Sequence, residues 1–237
     1  MIRTILLTVA MAIGLTAWAD DVPTIAPTAT YMTDDGEVEN PAMACSAPLT
    51  ARFEAHAENV GAYTANYEWR FYLDSMEGEP YLIRYEEDTE YTFTKAGMHY
   101  IVCYATFING RDTVAYTKEY WDDLGALTCS ISESLLEMPN AFSPNGDQRN
   151  DTYRAKKYQS LVEFHATIFN RWGQKLYEWD DPAGGWDGKF NGKDVREGVY
   201  FVLVRARGAD GRKFNIKKDV NLLRGYTETR GSGSTNE

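Results

Sequence analysis

Apolar side chains recur at every second position through most of this chain, and no stretch carries a helical period, which confines it to β-structure. Leu49, Ala51 and Phe53 alternate with Thr50, Arg52 and Glu54, and Tyr67, Trp69 and Phe71 enclose Glu68 and Arg70 in the same way. Tyr91-Thr92-Phe93 leads to Ala96-Gly97, after which His99, Ile101, Cys103 and Ala105 share one face. Asn109-Gly110 signals a hairpin turn into a strand from Thr113 to Tyr116, and Ile131 to Leu136 closes this set. A second set follows. Val162, Phe164, Ala166 and Ile168 face one way, with Glu163, His165 and Thr167 opposite. Asn170 to Gln174 turns the chain into a strand from Lys175 to Trp179. Gly198-Val199-Tyr200 opens a nearly continuous apolar strand through Val204, and Ala209 to Arg212 turns back into Phe214, Ile216, Val220 and Leu222. The expected fold class is all-β, with two consecutive antiparallel β-sandwich domains.

The run Met138-Pro139-Asn140-Ala141-Phe142-Ser143-Pro144-Asn145-Gly146-Asp147 divides the two sets. Proline fixes φ and glycine permits positive φ, so the run reads as a structured loop that opens a new unit. Charge changes sign at the same place. Residues 20–137 hold 6 Lys and Arg against 22 Asp and Glu, whereas residues 138–224 hold 16 against 11. The first unit is therefore strongly acidic and the second mildly basic, which places the boundary at 137/138. An acidic face keeps a secreted domain soluble, and a basic second unit is suited to docking on something acidic. No nucleic-acid partner is expected.

Residues 1–19 read as a secretory signal: Arg3 is the positive region, Ile5 to Leu15 the apolar region, and Ala17-Trp18-Ala19 the small-residue cleavage site. Residues 20–44, rich in Thr, Pro, Ala and Asp, read as an extended lead-in with one edge strand. Residues 225–237 form a polar Gly-Ser-rich tail of flexible composition. Three cysteines permit one bridge in an oxidising compartment. Cys45 and Cys129 flank the first unit near its first and last strands, which makes Cys45–Cys129 the preferred disulfide and Cys45–Cys103 its competitor. Cys103 falls on an inward face, where a thiol packs as a small hydrophobe.

The second unit resembles a known family along its length. Pro139-Asn140-Ala141-Phe142-Ser143-Pro144-Asn145-Gly146-Asp147 with Asn150-Asp151 is similar to the opening of the gliding-motility-associated C-terminal domain, the type B sorting domain of the type IX secretion system. Ile168-Phe169-Asn170-Arg171-Trp172-Gly173, Trp186-Asp187-Gly188, Gly198-Val199-Tyr200 and Asp219-Val220-Asn221-Leu222-Leu223-Arg224 resemble its later blocks in order. Gln148 and Lys218 stand where the family usually has glycine, and the chain continues past Arg224, where the family usually ends. The first unit, residues 45–137, resembles a PKD or related immunoglobulin-like domain through Ala47-Pro48-Leu49, the strand around Trp69 and Phe93-Thr94-Lys95-Ala96-Gly97. It departs from that pattern after Trp69, where Arg70-Phe71-Tyr72-Leu73 replaces a Gly-Asp-rich turn. Both domains are thus expected to be immunoglobulin-like.

Catalytic patterns are sparse. His56, His99 and His165 fall on separate strands without metal-ligand spacing, and the sequence holds no Gly-x-Ser-x-Gly elbow, His-Glu-x-x-His motif or phosphate loop. Glu86-Glu87 and Asp122-Asp123 are adjacent acids, which read as surface charge. Asn145, Asp147, Asn150 and Asp151 offer oxygens at the short spacings of calcium loops, and the same residues form Asx turns that bond their own backbone. Trp172, Trp179 and Trp186 fit either an aromatic glycan surface or a sandwich core.

The resemblance implies a cargo of the type IX secretion system, displayed on the cell surface or released; family members are adhesins, motility adhesins or secreted enzymes, and because no catalytic domain remains beside the sorting domain, this cargo is expected to be non-catalytic. Its second unit would direct outer-membrane translocation through a PorP/SprF-like outer-membrane barrel. Its first unit would serve adhesion, binding a glycan or a host or cell-surface ligand. Three rivals stand beside it: a structural subunit joined through exposed strand edges, a carbohydrate-binding protein, and a hydrolase without a recognisable motif.

Overall fold

The computed structural model describes residues 22–33, 36–39, 41 and 43–225. The expected signal peptide and all of the tail after Gly225 lie outside the described residues. The chain divides into two compact units, one ending at Ser132 and the other beginning at Glu133.

The first unit contains strands β1 (Thr28–Thr33), β2 (Gly36–Val38), β3 (Leu49–Glu54), β4 (Thr64–Leu73), β5 (Leu82–Arg84), β6 (Thr89–Phe93), β7 (Gly97–Asn109) and β8 (Asp112–Tyr116). Helix α1 (Lys118–Leu124) and strand β9 (Leu127–Ile131) complete it. One sheet has the order β2-β1-β3-β6; the other runs β5-β4-β7-β8, with β9 also paired to β7. The alternating side chains meet between the sheets, where Phe53 of β3 lies 5.7 Å from Trp69 and 5.3 Å from Phe71 of β4, ring centre to ring centre. All three are fully buried, and area removed from water on this scale is the main stabilising term of a small sandwich.

Three details depart from the sequence pattern. Thr28–Thr33 is an interior strand of its sheet, flanked by β2 and β3, with Ala29 and Tyr31 buried; its threonines disguise the alternation. The hairpin loop is Gly110-Arg111, because Asn109 pairs with Asp112. Residues 118–124 form one short helix, which buries Trp121 alone and donates its indole N–H to the Cys103 carbonyl at 2.7 Å. A single buried residue leaves no period to read.

The cysteine expectation is corrected: Cys45, Cys103 and Cys129 are all free. Cys45 bridges to Ile131, in parallel, and not to Cys129. A two-residue offset along a strand puts the α-carbons of Cys45 and Cys129 roughly 8 Å apart, beyond the ~7 Å a disulfide spans. Cys103 is fully buried, and burial pushes its thiol up to about 12.

His99 is buried on the core face of β7. Its Nε2–H donates to the Lys95 carbonyl at 2.9 Å, which leaves Nδ1 to accept from the Tyr81 hydroxyl at 2.9 Å. Burial lowers its pKa; the Lys95 carbonyl and Asp74 act against that shift, and the Lys95 cation adds to it. Above the unfolded histidine value of about 6.5, both states are neutral and the fold keeps its full stability. As pH falls below that value the unfolded chain takes up a proton that the fold refuses, and stability drops by up to about 1.4 kcal/mol per pH unit. Urea midpoints at descending pH measure this slope, and proton uptake on unfolding of the first unit below neutrality is the expected result.

The second unit contains β10 (Leu135–Glu137), β11 (Ala141–Phe142), β12 (Lys157–Gln159), β13 (Leu161–Phe169), β14 (Lys175–Trp179), β15 (Lys189–Phe190), β16 (Lys193–Asp194), β17 (Gly198–Gly208) and β18 (Lys213–Leu222). Its boundary precedes the sequence estimate because Leu135–Glu137 pairs with β12 and so belongs to the second unit. The main sheet has the order β11-β18-β17-β13-β14, with β11 parallel to β18 and every other pair antiparallel. Ribbons β10-β12 and β15-β16 and the segment through Tyr153 accompany it around one core. A register shift between Leu161 and Glu163 makes Leu161 the buried residue at the start of β13, in place of Val162.

Candidate functional site

The pairing directions gather four of the five family-like blocks at one end of the second unit. β11 and β18 run parallel, and β17 runs antiparallel to both β18 and β13. The ends of β11, β13 and β18 and the start of β17 therefore share a pole. That pole holds the loop from Ser143 to Asp151, the turn from Asn170 to Gly173, Gly198 to Tyr200, and Leu223-Arg224.

The remaining block, Trp186-Asp187-Gly188, is drawn to the same place by packing. Gly188 has φ +79°, and a Cβ there would stand 3.0 Å from Pro144 and 3.2 Å from Leu222. The Arg224 guanidinium donates to the Gly188 carbonyl at 2.9 Å and lies 3.5 Å from the Asp194 carboxylate. Trp186 is fully buried, 5.3 Å from Phe142 and 5.1 Å from Tyr200, so one aromatic cluster joins three blocks. Backbone bonds in both directions tie Trp186 to Tyr153, at 2.8 and 3.1 Å. The Tyr153 hydroxyl donates to the Pro139 carbonyl and the Asn140 carbonyl accepts from Asn221, fixing the first block against the last. Asp187 accepts from the Lys189 N–H at 3.0 Å.

The signature loop closes around one carboxylate. Asp151 accepts the backbone N–H groups of Asn145 (2.9 Å), Gly146 (2.8 Å) and Gln148 (2.8 Å). Asn145 and Asp147 form successive Asx turns onto the N–H groups of Asp147 and Arg149, and Asn150 gives its carbonyl to the Ser143 N–H. Of the two readings of these four residues, the turn-forming one describes their bonds. Gln148 sits at φ +66°, a conformation glycine adopts without strain, which accounts for the glycine usual there in similar domains. Lys218, at the other departure, donates its ammonium to the Met138 carbonyl at 2.9 Å. Asp151→Ala leaves three backbone donors without their charged acceptor; allowing for solvent at this half-buried site, the expected cost is about 2 kcal/mol. Thermal melting measures it, and millimolar calcium is expected to leave the wild-type transition where it is.

The turn at Asn170 is built the same way, with its side-chain oxygen accepting the N–H groups of Trp172 and Gln174, both at 3.0 Å. Trp172 is thereby held 82% exposed, with the Arg171 guanidinium 5.7 Å above its ring. Trp179 and Trp186 are buried in the core, so the three tryptophans do not make a common surface. His165 is exposed and bonded to Asp180. Asp219 faces solvent across from Phe201.

Two hollows adjoin the blocks. One, of about 940 Å³, runs along the signature between residues 137–142 and 148–156. The other, about 330 Å³ and mostly apolar, lies on the outer face of the main sheet beside Phe201. Sequence reasoning missed this second feature: Val199, Phe201 and Leu203 continue the apolar run of β17, but they alternate outward while Tyr200, Val202 and Val204 are buried. Among the described residues no group of three or more His, Cys, Asp and Glu is placed to hold a metal ion.

No curated protein matches the sequence. Among solved structures, the crystal structure of dimeric latent PorU from Porphyromonas gingivalis is similar at 12% identity and a TM-score of 0.25, covering 91% of this chain. The chain spans 21% of that protein's length, and a likeness of this degree carries no argument about fold or function. Residues 136–218, from β10 into β18, match the family model of the CHU_C type IX secretion signal domain, and that match marks the chain as a type IX secretion cargo with a C-terminal sorting signal.

Proposed function

We propose that the chain enters the periplasm on its N-terminal signal and that the second unit carries it across the outer membrane, to the cell surface or beyond. The supporting observation is the convergence of five sequence-distant blocks on one pole, held there by a buried Phe142–Trp186–Tyr200 cluster and the Asp151 clamp. A surface assembled from both ends of a domain is suited to being read as a shape. A PorP/SprF-like outer-membrane barrel is the reader that the family resemblance implies. The first unit is then the passenger, a non-catalytic adhesion or binding module. Its rigid aromatic core and its exposed Tyr85 beside Glu86, Glu87 and Asp88 fit it for contact with a ligand outside the cell.

Deleting Glu133 to Glu237 in a type IX-competent bacterium tests this reading. The deletion begins at Glu133 because β10 belongs to the second unit. Retention of the truncated protein in the periplasm is expected. Its arrival at the surface at the level of the full chain would sink the proposal.

A further inference from the structure

The outer face of the main sheet carries an apolar patch next to the pole. β-sheet faces open to water alternate with polar residues in most soluble domains, and contiguous exposed apolar side chains mark contact sites. Here Phe169 of β13 pairs with Phe201 of β17, Val199 and Leu203 lie to either side of Phe201, and Trp172 projects from the adjoining turn. Phe201 is 43% exposed, Val199 49% and Trp172 82%. The hollow of about 330 Å³ lies among Phe169, Phe201 and Leu203 on these strands and Lys217 and Asp219 on β18. It is large enough to receive a side chain.

The rim is cationic. Arg171, Arg205 and Lys217 are exposed around the patch, and none of them makes an ion pair among the described residues. Cations bordering an apolar centre are enriched at protein contact sites, where aromatic residues and arginine dominate the binding energy. A recess and an interspersed carboxylate, Asp219, suit a shaped protein partner better than the plane of an anionic bilayer.

We propose that this patch is where the second unit docks on the export machinery, and that the partner presents an apolar projection bordered by carboxylates. The projection enters the hollow beside Phe201, and the carboxylates meet Arg171 and Lys217. This rests on the sorting role proposed above, and it assigns that role to the patch instead of the groove along the signature.

The test uses the full chain expressed in a type IX-competent bacterium, with the surface-exposed fraction as the readout. Phe201→Glu places a charge at the apolar centre of an exposed site, and the double change Arg171→Glu with Lys217→Glu reverses the rim without touching the core. Each is expected to lower the surface fraction about tenfold or more, while unchanged melting of the purified protein shows that the fold persists. Tyr158→Ser alters a similarly exposed aromatic residue on β12 and is expected to export as the wild type does. Normal export of both patch variants, with the Glu133–Glu237 deletion retained, overturns the docking surface and leaves the sorting role standing. Export of the deletion itself overturns both. If the patch variants export normally but turn a self-associating wild-type protein into a monomer, the occupant is a second copy of this chain and the proposal is wrong. Normal export with lost binding to vesicles of phosphatidylethanolamine and phosphatidylglycerol overturns it in favour of lipid.

Discussion

Replacing Trp186 with alanine is expected to lower the stability of the second unit by about 4 kcal/mol, the middle of the range for truncating a buried tryptophan. The indole is fully enclosed and touches Phe142 and Tyr200 from two other blocks, and its N–H donates to the Lys189 carbonyl at 2.7 Å. Its removal leaves a cavity at the point where the pole is assembled and a carbonyl without its donor. Urea denaturation followed by tyrosine fluorescence measures the loss, and surface export is expected to fall with it. Trp172→Ala is the companion measurement. That side chain is largely in solvent, so its removal is expected to move stability by less than about 0.5 kcal/mol. A Trp186→Ala protein within 1 kcal/mol of wild type, allowing that figure as roughly one error of measurement, would show that the cluster does not hold the pole together.

A single methyl group at Gly185 is expected to cost about 3 kcal/mol. A Cβ at that position would stand 2.4 Å from the Tyr153 carbonyl oxygen, 2.8 Å from Thr152 Cγ2 and 2.9 Å from Arg154 Cβ. The closest of these is backbone, which has no rotamer through which to retreat. The paired bonds between Tyr153 and Trp186 would have to open to make room. The expected result is a lower melting temperature for Gly185→Ala, with Gly192→Ala as the contrast. Gly192 has φ +75°, but a Cβ there would meet nothing within 4 Å, so only backbone strain of about 1 kcal/mol is expected.

The period-2 pattern made most strands legible because alternation is a local property: β3, β4, β7, β13 and β17 lie where Leu49, Trp69, Cys103, Ala166 and Val202 placed them. What failed was decided elsewhere in the fold. Thr28–Thr33 reads as a lead-in, yet β2 and β3 enclose it in a sheet. The Cys45–Cys129 pairing needed a register that no spacing reveals, and the structure sets Cys45 opposite Ile131. Leu135–Glu137 looks like the end of one unit, and only its pairing with Lys157–Gln159 assigns it to the next. The blocks of the second unit were recognisable one by one. Their gathering at a pole depends on the parallel pairing of a two-residue strand, Ala141–Phe142, with the last strand of the domain. The open-face patch was hidden for a related reason, since an uninterrupted apolar run does not tell which of its two faces is covered.

That same short parallel pairing has a consequence for timing. The Asn221 N–H reaches the Asn140 carbonyl, and the Leu223 N–H reaches the Phe142 carbonyl, so residues made first in the domain are fastened by residues made last. A chain broken off before Lys213 has every other block and no pole. The fastened pole therefore needs the chain through Leu223, and a copy of the domain broken off earlier carries the other blocks without the strand that holds the first of them in place.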